Sequence, residues 1–244
     1  MRRRQGDRMK MVIGPKQLTG ILLLVMTVVD LSWYYFFEIA PLDVDMTTPG
    51  AVAASFAVIN ENRGMYLAGL WDDFAWNFTA FLVGWGLYLG LRDRDQRWAL
   101  LGGLSFVAAA ITYVIADAVW LGWDSFADQY ASASGAAAES LKTAALALSP
   151  IDWWADGIGS IFFSVGLLAF SLALRAVTGG WGRWLWALGL VGAVVCFTTS
   201  LFDVTAADYL YFVNTVWYAL TGVWLLMDSM AKKAEAAQPS AATT

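Results

Sequence analysis

The chain has no histidine, one cysteine and little charge. Of its 244 residues 14% are charged, against about 25% in ordinary soluble domains. The absence of histidine excludes imidazole-ligated metal, imidazole-ligated haem and a histidine general base. A single cysteine, Cys196, excludes an internal disulfide and a thiolate cluster. The sequence therefore predicts no metal site and no cofactor, and nothing in it indicates nucleic-acid binding.

Apolar and aromatic residues are abundant instead. Hydrophobic residues make up 59% of the chain and aromatic residues 15%, and the mean hydropathy is +0.57. A membrane-spanning helix needs about 20 mostly apolar residues. Six stretches meet this requirement, so the predicted fold class is an all-α, polytopic membrane protein with six transmembrane helices. The predicted spans are Gln17–Ile39, Tyr66–Leu91, Trp98–Leu121, Ile151–Leu174, Trp184–Phe202 and Tyr209–Met227.

The basic residues indicate the orientation of these spans. With both termini in the cytoplasm, thirteen of the 15 Lys and Arg residues lie on the inner side, and only Arg63 and Lys142 lie elsewhere. The inner side then carries a net charge of +8 and the rest of the chain −13. Basic residues favour the cytoplasmic side of a membrane. The sequence therefore predicts a multi-pass cell-membrane protein with an N-in, C-in arrangement.

Composition divides the chain into three parts. Residues 1–16 are a basic cytoplasmic N-terminus, residues 17–230 form the six-helix transmembrane domain, and residues 231–244 are a disordered cytoplasmic tail. Within the transmembrane domain, the Ala-rich outer segment 124–148 favours helix. This segment is interpreted either as a lid over the outer mouth of the bundle or as a solvated connector.

The second and third predicted spans form one hairpin and the fourth and fifth form another, and corresponding residues in the two hairpins have the same spacing. Asp73 precedes Arg92 by 19 residues, and Asp156 precedes Arg175 by the same number. Both hairpins run from outside to inside and back, so a duplication would be a parallel repeat of two helical hairpins. The alternative is coincidence, because every hairpin of this length requires interfacial Trp and Arg residues.

All six predicted helices carry polar stripes, which are concentrated in their outer halves. Residues three and four positions apart share a helix face, and carboxylates within the bilayer are costly unless they face the bundle interior or water. We therefore predict one acidic, aromatic-lined cavity that is open to the extracytoplasmic side. Its predicted ligand-binding residues are Asp30, Tyr34, Glu38, Asp73, Asn77, Asp117, Trp120, Asp156, Asp203, Asn214 and Tyr218. The alternative is that these side chains only bond neighbouring helices or form the interfacial aromatic belt.

Two resemblances accompany these patterns. The Leu-Tyr-Leu-Gly-Leu-Arg92 end of the second span, the Ala99-Leu-Leu-Gly-Gly103 start of the third and the Ala-rich outer segment resemble a broad group of uncharacterised bacterial six-helix integral membrane proteins. That resemblance implies a bacterial membrane protein and no particular activity. The pairing of intramembrane carboxylates with aromatic walls is also similar to small membrane-embedded terpene cyclases. In Ala75-Trp-Asn77, however, this chain has an amide where that family has an acid.

Three functions fit these patterns. The first is the binding or transport of a small cationic or hydrophobic ligand, with proton coupling. The second is a membrane-embedded enzyme that acts on a lipid or isoprenoid, with Asp30 and Asp117 as the catalytic acids. The third is an accessory subunit whose acidic outer face docks a membrane partner subunit. The expected partners are the lipid bilayer and the ligand, and a homo-oligomer is left open.

Overall fold

The computed structural model describes residues 13–39, 42–177, 179–202 and 212–237. Its described part is mostly helical and contains no strand. Two short segments interrupt or precede longer helices: a π-helical turn at Tyr35–Ile39 and a 3-10 turn at Trp181–Trp184. The α-helices are α1 (Pro15–Tyr34), α2 (Val52–Glu61), α3 (Arg63–Leu91), α4 (Gln96–Tyr130), α5 (Ala136–Leu174), α6 (Leu185–Phe202) and α7 (Phe212–Ala237).

The six long helices pack as a closed ring in chain order. Helix α1 contacts α3, each later helix contacts the next, and α7 returns to contact α1. Ion pairs mark the two ends of the bundle. Lys16 Nζ lies 3.4 Å from Asp228 Oδ2 at one end, and Arg63 Nε lies 2.9 Å from Asp124 Oδ1 at the other. We refer to these as the Lys16 end and the Arg63 end.

Five of these helices are long and apolar enough to cross a membrane: α1, α3, α4, α5 and the segment Trp181–Ser200. This fits a multi-pass, membrane-embedded protein. Helix α7 is not among the five, because polar residues such as Asn214, Thr215 and Asp228 interrupt its apolar stretch. The predicted sixth span also begins at Tyr209, outside the described residues. The count of six spans, the sidedness of the termini and the parallel repeat therefore stay predictions.

The bundle has a packed apolar core and also exposes apolar side chains on its outside. The main core includes fully buried Leu23, Phe106, Phe170 and Trp217. Large apolar side chains are also exposed on the outside of the bundle, such as Val28 at 67%. Apolar residues on both the inner and the outer faces of a helix are typical of a bundle surrounded by lipid.

Glycines allow α1 and α7 to approach closely. A Cβ atom placed on Gly20 would lie 2.8 Å from the carbonyl oxygen of Gly222, and one on Gly222 would lie 2.9 Å from that of Gly20. Small residues that let helix backbones approach are characteristic of helix contacts in membranes. This contact closes the ring between the first and last helices.

The Arg63 end carries a second layer that the sequence patterns do not predict. Short helix α2 packs against α4, and its Phe56 and Ile59 join Tyr66 and Trp123 in a separate apolar cluster. The guanidinium of Arg63 donates to both carboxylate oxygens of Asp124, each at 2.9 Å. This layer fixes the ends of α3 and α4 at the Arg63 end.

Several helices extend beyond the predicted boundaries. The Ala-rich segment 124–148 consists of the end of α4, the turn at 131–135 and the start of α5, so it continues two bundle helices. At the other end, α7 reaches Ala237, inside the segment predicted to be disordered. Alanine, lysine and glutamate favour helix, which accounts for this extension. Residues 1–12 and 238–244 lie outside the described residues.

Candidate functional site

A pocket of about 430 Å³ opens between the helices in the half of the bundle nearer the Arg63 end. Residues of α1, α3, α4, α5, α6 and α7 line it, so the whole ring contributes to one space. Its size falls within the usual range for small-molecule pockets, about 300–1,000 Å³. The lining residues are Asp30, Trp33, Asp73, Trp76, Tyr113, Ala116, Asp117, Trp120, Asp152, Trp153, Asp156, Ser160, Phe163, Thr199, Ser200, Asn214 and Tyr218.

Asp30 connects three helices at this pocket. Its side chain on α1 is only 7% exposed. Its Oδ1 accepts a hydrogen bond from Trp76 Nε1 of α3 at 2.8 Å, and its Oδ2 accepts one from Thr215 Oγ1 of α7. A buried carboxylate needs such donors, because loss of its hydration is costly.

Asp117 and Asp73 form a second group between α4 and α3. Asp117 is 1% exposed, and its Oδ2 accepts a hydrogen bond from Asn77 Nδ2 at 2.8 Å. The carboxyl group of Asp73 lies close to that of Asp117. Two carboxyl groups at close range disfavour ionisation of both, because like charges repel. Such a pair is suited to sharing one proton.

Asp152 and Asp156 bring two more carboxyl groups from one face of α5. Trp120 Nε1 donates to Asp152 Oδ1 at 2.9 Å. The Trp120 ring stacks on Tyr66, with centroids 5.8 Å apart, and the Tyr66 hydroxyl donates to the Trp120 carbonyl oxygen at 2.9 Å. Asp156 also lines the pocket.

The structure brings most of the predicted site residues together. Seven of the eleven line this pocket: Asp30, Asp73, Asp117, Trp120, Asp156, Asn214 and Tyr218. Asn77 lies behind the wall and holds Asp117. Tyr34 does not line the pocket, and its ring packs edge-on against Trp33 and Phe212. Asp203 and the side chain of Glu38 lie outside the described residues.

The pocket also includes residues that the predicted set omits. Asp152 lies one helical turn before Asp156, and Trp76 lies three residues after Asp73, so helical spacing could have found both. Trp33 and Phe163 carry no comparable signal, because a lone aromatic residue in a span resembles any other apolar residue. Their positions follow only from the packing of the ring.

Charge in this pocket has one sign. Its lining contains five aspartates and seven aromatic residues, and no lysine or arginine among the residues that the structure describes. The two basic residues nearest this half of the bundle have acidic partners elsewhere. Arg63 binds Asp124 and Asp128, and Lys142 Nζ lies 2.6 Å from Glu139 Oε1. Neither of them neutralises the pocket.

The carboxyl groups are not grouped as metal ligands. Within the described part of the chain, no set of three acidic or cysteine side chains is arranged to hold a metal ion. Carboxylates interleaved with indole and phenol rings instead suit an organic cation, which gains from both charge and π faces.

A family model described as "Domain of unknown function (DUF4386)" matches residues 18–228. The chain belongs to this family. The match covers α3, α4, α5 and α6 entirely, most of α1 and α7, and every residue that lines the pocket. This agrees with the resemblance to an uncharacterised family and adds no activity. Comparison with curated proteins and with solved structures gives no significant match.

Proposed function

We propose that this protein binds, and carries across the membrane, a small cation with hydrophobic surface that enters the pocket from the extracytoplasmic side. One observation carries the proposal: five aspartates and seven aromatic residues line a single space that no described basic residue enters. Carboxylates in a site of low dielectric attract a cation more strongly than in water. Aromatic faces add cation–π attraction.

The proposed topology gives the pocket its direction. In an N-in, C-in bundle of six spans, the Lys16 end faces the cytoplasm, where thirteen of the 15 basic residues lie. The pocket lies in the half nearer the Arg63 end, which then faces outward. A negative pocket at the outer surface raises the local concentration of cations, as clefts lined with one sign of charge do.

The proposal includes proton coupling through Asp73 and Asp117. The carboxyl group of Asp73 interacts with those of Asp156 and Asp72, and Asp152 interacts with Asp117 from α5. In the proposal, Asp73 and Asp117 share a proton in the empty pocket, and a bound cation supplies the positive charge in its place. Cation binding is therefore expected to release a proton.

Calorimetry on purified protein in neutral detergent tests the proposal, with tetraethylammonium as the probe. We expect saturable binding that Asp156→Asn weakens and that Asp43→Asn leaves unchanged, because Asp43 is an exposed carboxylate away from the pocket. A pH indicator in weakly buffered solution should record proton release on binding. Absence of binding, or equal effects of the two variants, would contradict the proposal. Binding without proton release would contradict the coupling.

One observation favours a second candidate, acid catalysis on an isoprenoid. Trp76 lines the same pocket as Asp73 and Asp117, and its ring contacts Tyr113 at 5.6 Å and Phe163 at 5.4 Å between centroids. A proton donor beside aromatic walls can protonate an alkene and stabilise the resulting carbocation. Incubation with a linear isoprenoid and mass spectrometry tests this candidate. A product lost in Asp117→Asn supports it, and an unchanged substrate contradicts it.

A further inference from the structure

We propose that Trp120 sets the length of ligand that the pocket accepts, because its indole separates the pocket from a second, apolar chamber. This inference rests on the proposed function, since it concerns the hydrophobic part of the same cation. The second chamber, here called the side chamber, has a volume of about 50 Å³. Its lining residues are Phe36, Leu42, Val44, Met65, Tyr66, Gly69 and Trp120.

Trp120 borders both spaces, and among the described residues that line either space it alone does so. The face of its indole stacks on the ring of Tyr66, which lines the side chamber, with the two ring planes 17° apart. Its Nε1 donates to Oδ1 of Asp152, which lines the pocket, at 2.9 Å. The indole therefore extends from a wall of one space to a wall of the other and forms a partition between them.

The side chamber suits an alkyl group. Apart from Trp120, its walls consist of aliphatic, thioether and aromatic side chains and one glycine. The Tyr66 hydroxyl is the one side-chain oxygen among these described walls, and it donates to the Trp120 carbonyl oxygen at 2.9 Å. Apolar cavities stay dry and take up apolar molecules. Because about 10–15 Å³ of free space holds one water-sized group, the chamber has room for a segment of about three carbons.

Three contacts hold the partition in one orientation. They are the hydrogen bond to Asp152, the stack on Tyr66 and a tilted contact with Trp123, whose ring centroid lies 5.7 Å away. An indole that is held by both its face and its N–H has little freedom to turn aside. A ligand that outgrows the pocket therefore meets the Trp120 ring, and the side chamber stays closed to it.

Calorimetry with alkyltrimethylammonium ions, from ethyl to octyl, tests this inference on purified protein in neutral detergent. Titrations into protein-free micelles correct for partitioning of the longer ions. For the wild-type protein we expect affinity to rise by about fourfold with each added carbon, the gain from burial of one methylene group, up to a limiting length. Trp120→Ala should raise that limiting length by about three carbons, the capacity of the side chamber.

Two further variants separate the partition from the hydrogen bond. Trp120→Phe loses the indole N–H but keeps an aromatic ring beside Tyr66, so it should change the affinity for all members of the series alike and keep the wild-type limit. Gly69→Ala fills part of the side chamber, where its Cβ atom would lie 3.5 Å from Phe36 Cβ, an ordinary contact. It should reduce the shift in limiting length when combined with Trp120→Ala and leave the limit unchanged on its own.

The outcomes separate this inference from the proposed function. An equal limit in the wild type and Trp120→Ala, or a shift that Gly69→Ala does not reduce, would overturn the inference and leave the cation pocket standing. Failure of the wild-type protein to bind any member of the series would overturn both. If Trp120→Ala does not fold, Gly69→Ala alone still tests the partition, because a shorter limit in that variant would show that the ligand already enters the side chamber and would overturn the inference.

Discussion

Replacement of Gly20 by alanine perturbs the contact that closes the helical ring. The added Cβ atom would lie 2.8 Å from the Gly222 carbonyl oxygen and 2.8 Å from Leu226 Cγ. An ordinary contact needs at least 3.4 Å, so α7 must retreat by about 0.6 Å. A gap of that size forfeits roughly a quarter of the dispersion attraction along the contact.

The magnitude follows from two opposing effects. Overpacking of this kind typically costs about 1–3 kcal/mol. Alanine is a better helix former than glycine by about 1 kcal/mol, which offsets part of that cost. We expect Gly20→Ala to lower the free energy of unfolding by up to about 2 kcal/mol. The retreat of α7 also separates Thr215 from Asp30, so cation binding should weaken too.

A matched control comes from Gly157, in the interior of α5. A Cβ atom there would meet nothing within 4 Å, so only the gain in helix propensity remains. The assay is unfolding in detergent, followed by circular dichroism for Gly20→Ala, Gly157→Ala and the wild-type protein. Equal stability of the two variants would refute the reasoning, because it would show that α1 and α7 are not in close contact.

Three further predictions concern other parts of the molecule. Hydrogen bonds from Thr47 and Thr48 lower the pKa of Asp45 to about 2. Its ionised form therefore stabilises the fold above about pH 4, and this contribution disappears as the pH falls towards 2. In acid unfolding, Asp45→Asn should be less stable than the wild type at pH 7, and the difference should vanish near pH 2. Arg63→Gln should lower the melting temperature. Arg63→Lys should lower it less, but should stay below the wild type, because lysine cannot form the bidentate pair with Asp124. A melting temperature of Arg63→Lys equal to that of the wild type would contradict this. Trp217→Phe removes a fully buried indole and its hydrogen bond, which should cost about 2–4 kcal/mol in unfolding experiments, whereas Trp184→Phe at a 62% exposed site should cost little.

The helical fold could be predicted because apolar runs of sufficient length have few alternatives in a bilayer. Five of the predicted stretches coincide with helices that are long and apolar enough to span a membrane. Helix boundaries were less predictable. Segment 124–148 continues two bundle helices because its alanines support helix without needing lipid. Helix α2 escaped prediction because ten residues are too few for a span.

The residues of the candidate site were predictable where a polar side chain lies deep within an apolar span. Asp30, Asp117 and Asn214 were selected because polar groups within a span must face the interior, and all three line the pocket. Tyr34 was selected by the same helical spacing, but its ring packs against Phe212 instead. Helical spacing shows which side chains share a face of one helix but not which helices are neighbours. The grouping of these side chains around one pocket therefore depends on how all six helices pack.

The most direct test of the central claim is the rate at which a cysteine in the pocket reacts with charged, membrane-impermeant thiol reagents. Ser160→Cys in a Cys196→Ala background places that thiol at the pocket wall. Reagents added from the extracytoplasmic side should label it, and a trimethylammonium reagent should react at least about tenfold faster than a sulfonate reagent of similar size, as an acidic cleft requires. Thr221→Cys, at a fully buried position that does not line the pocket, should stay unlabelled. Equal rates for the two reagents, or labelling from the cytoplasmic side alone, would contradict an outward-facing acidic pocket.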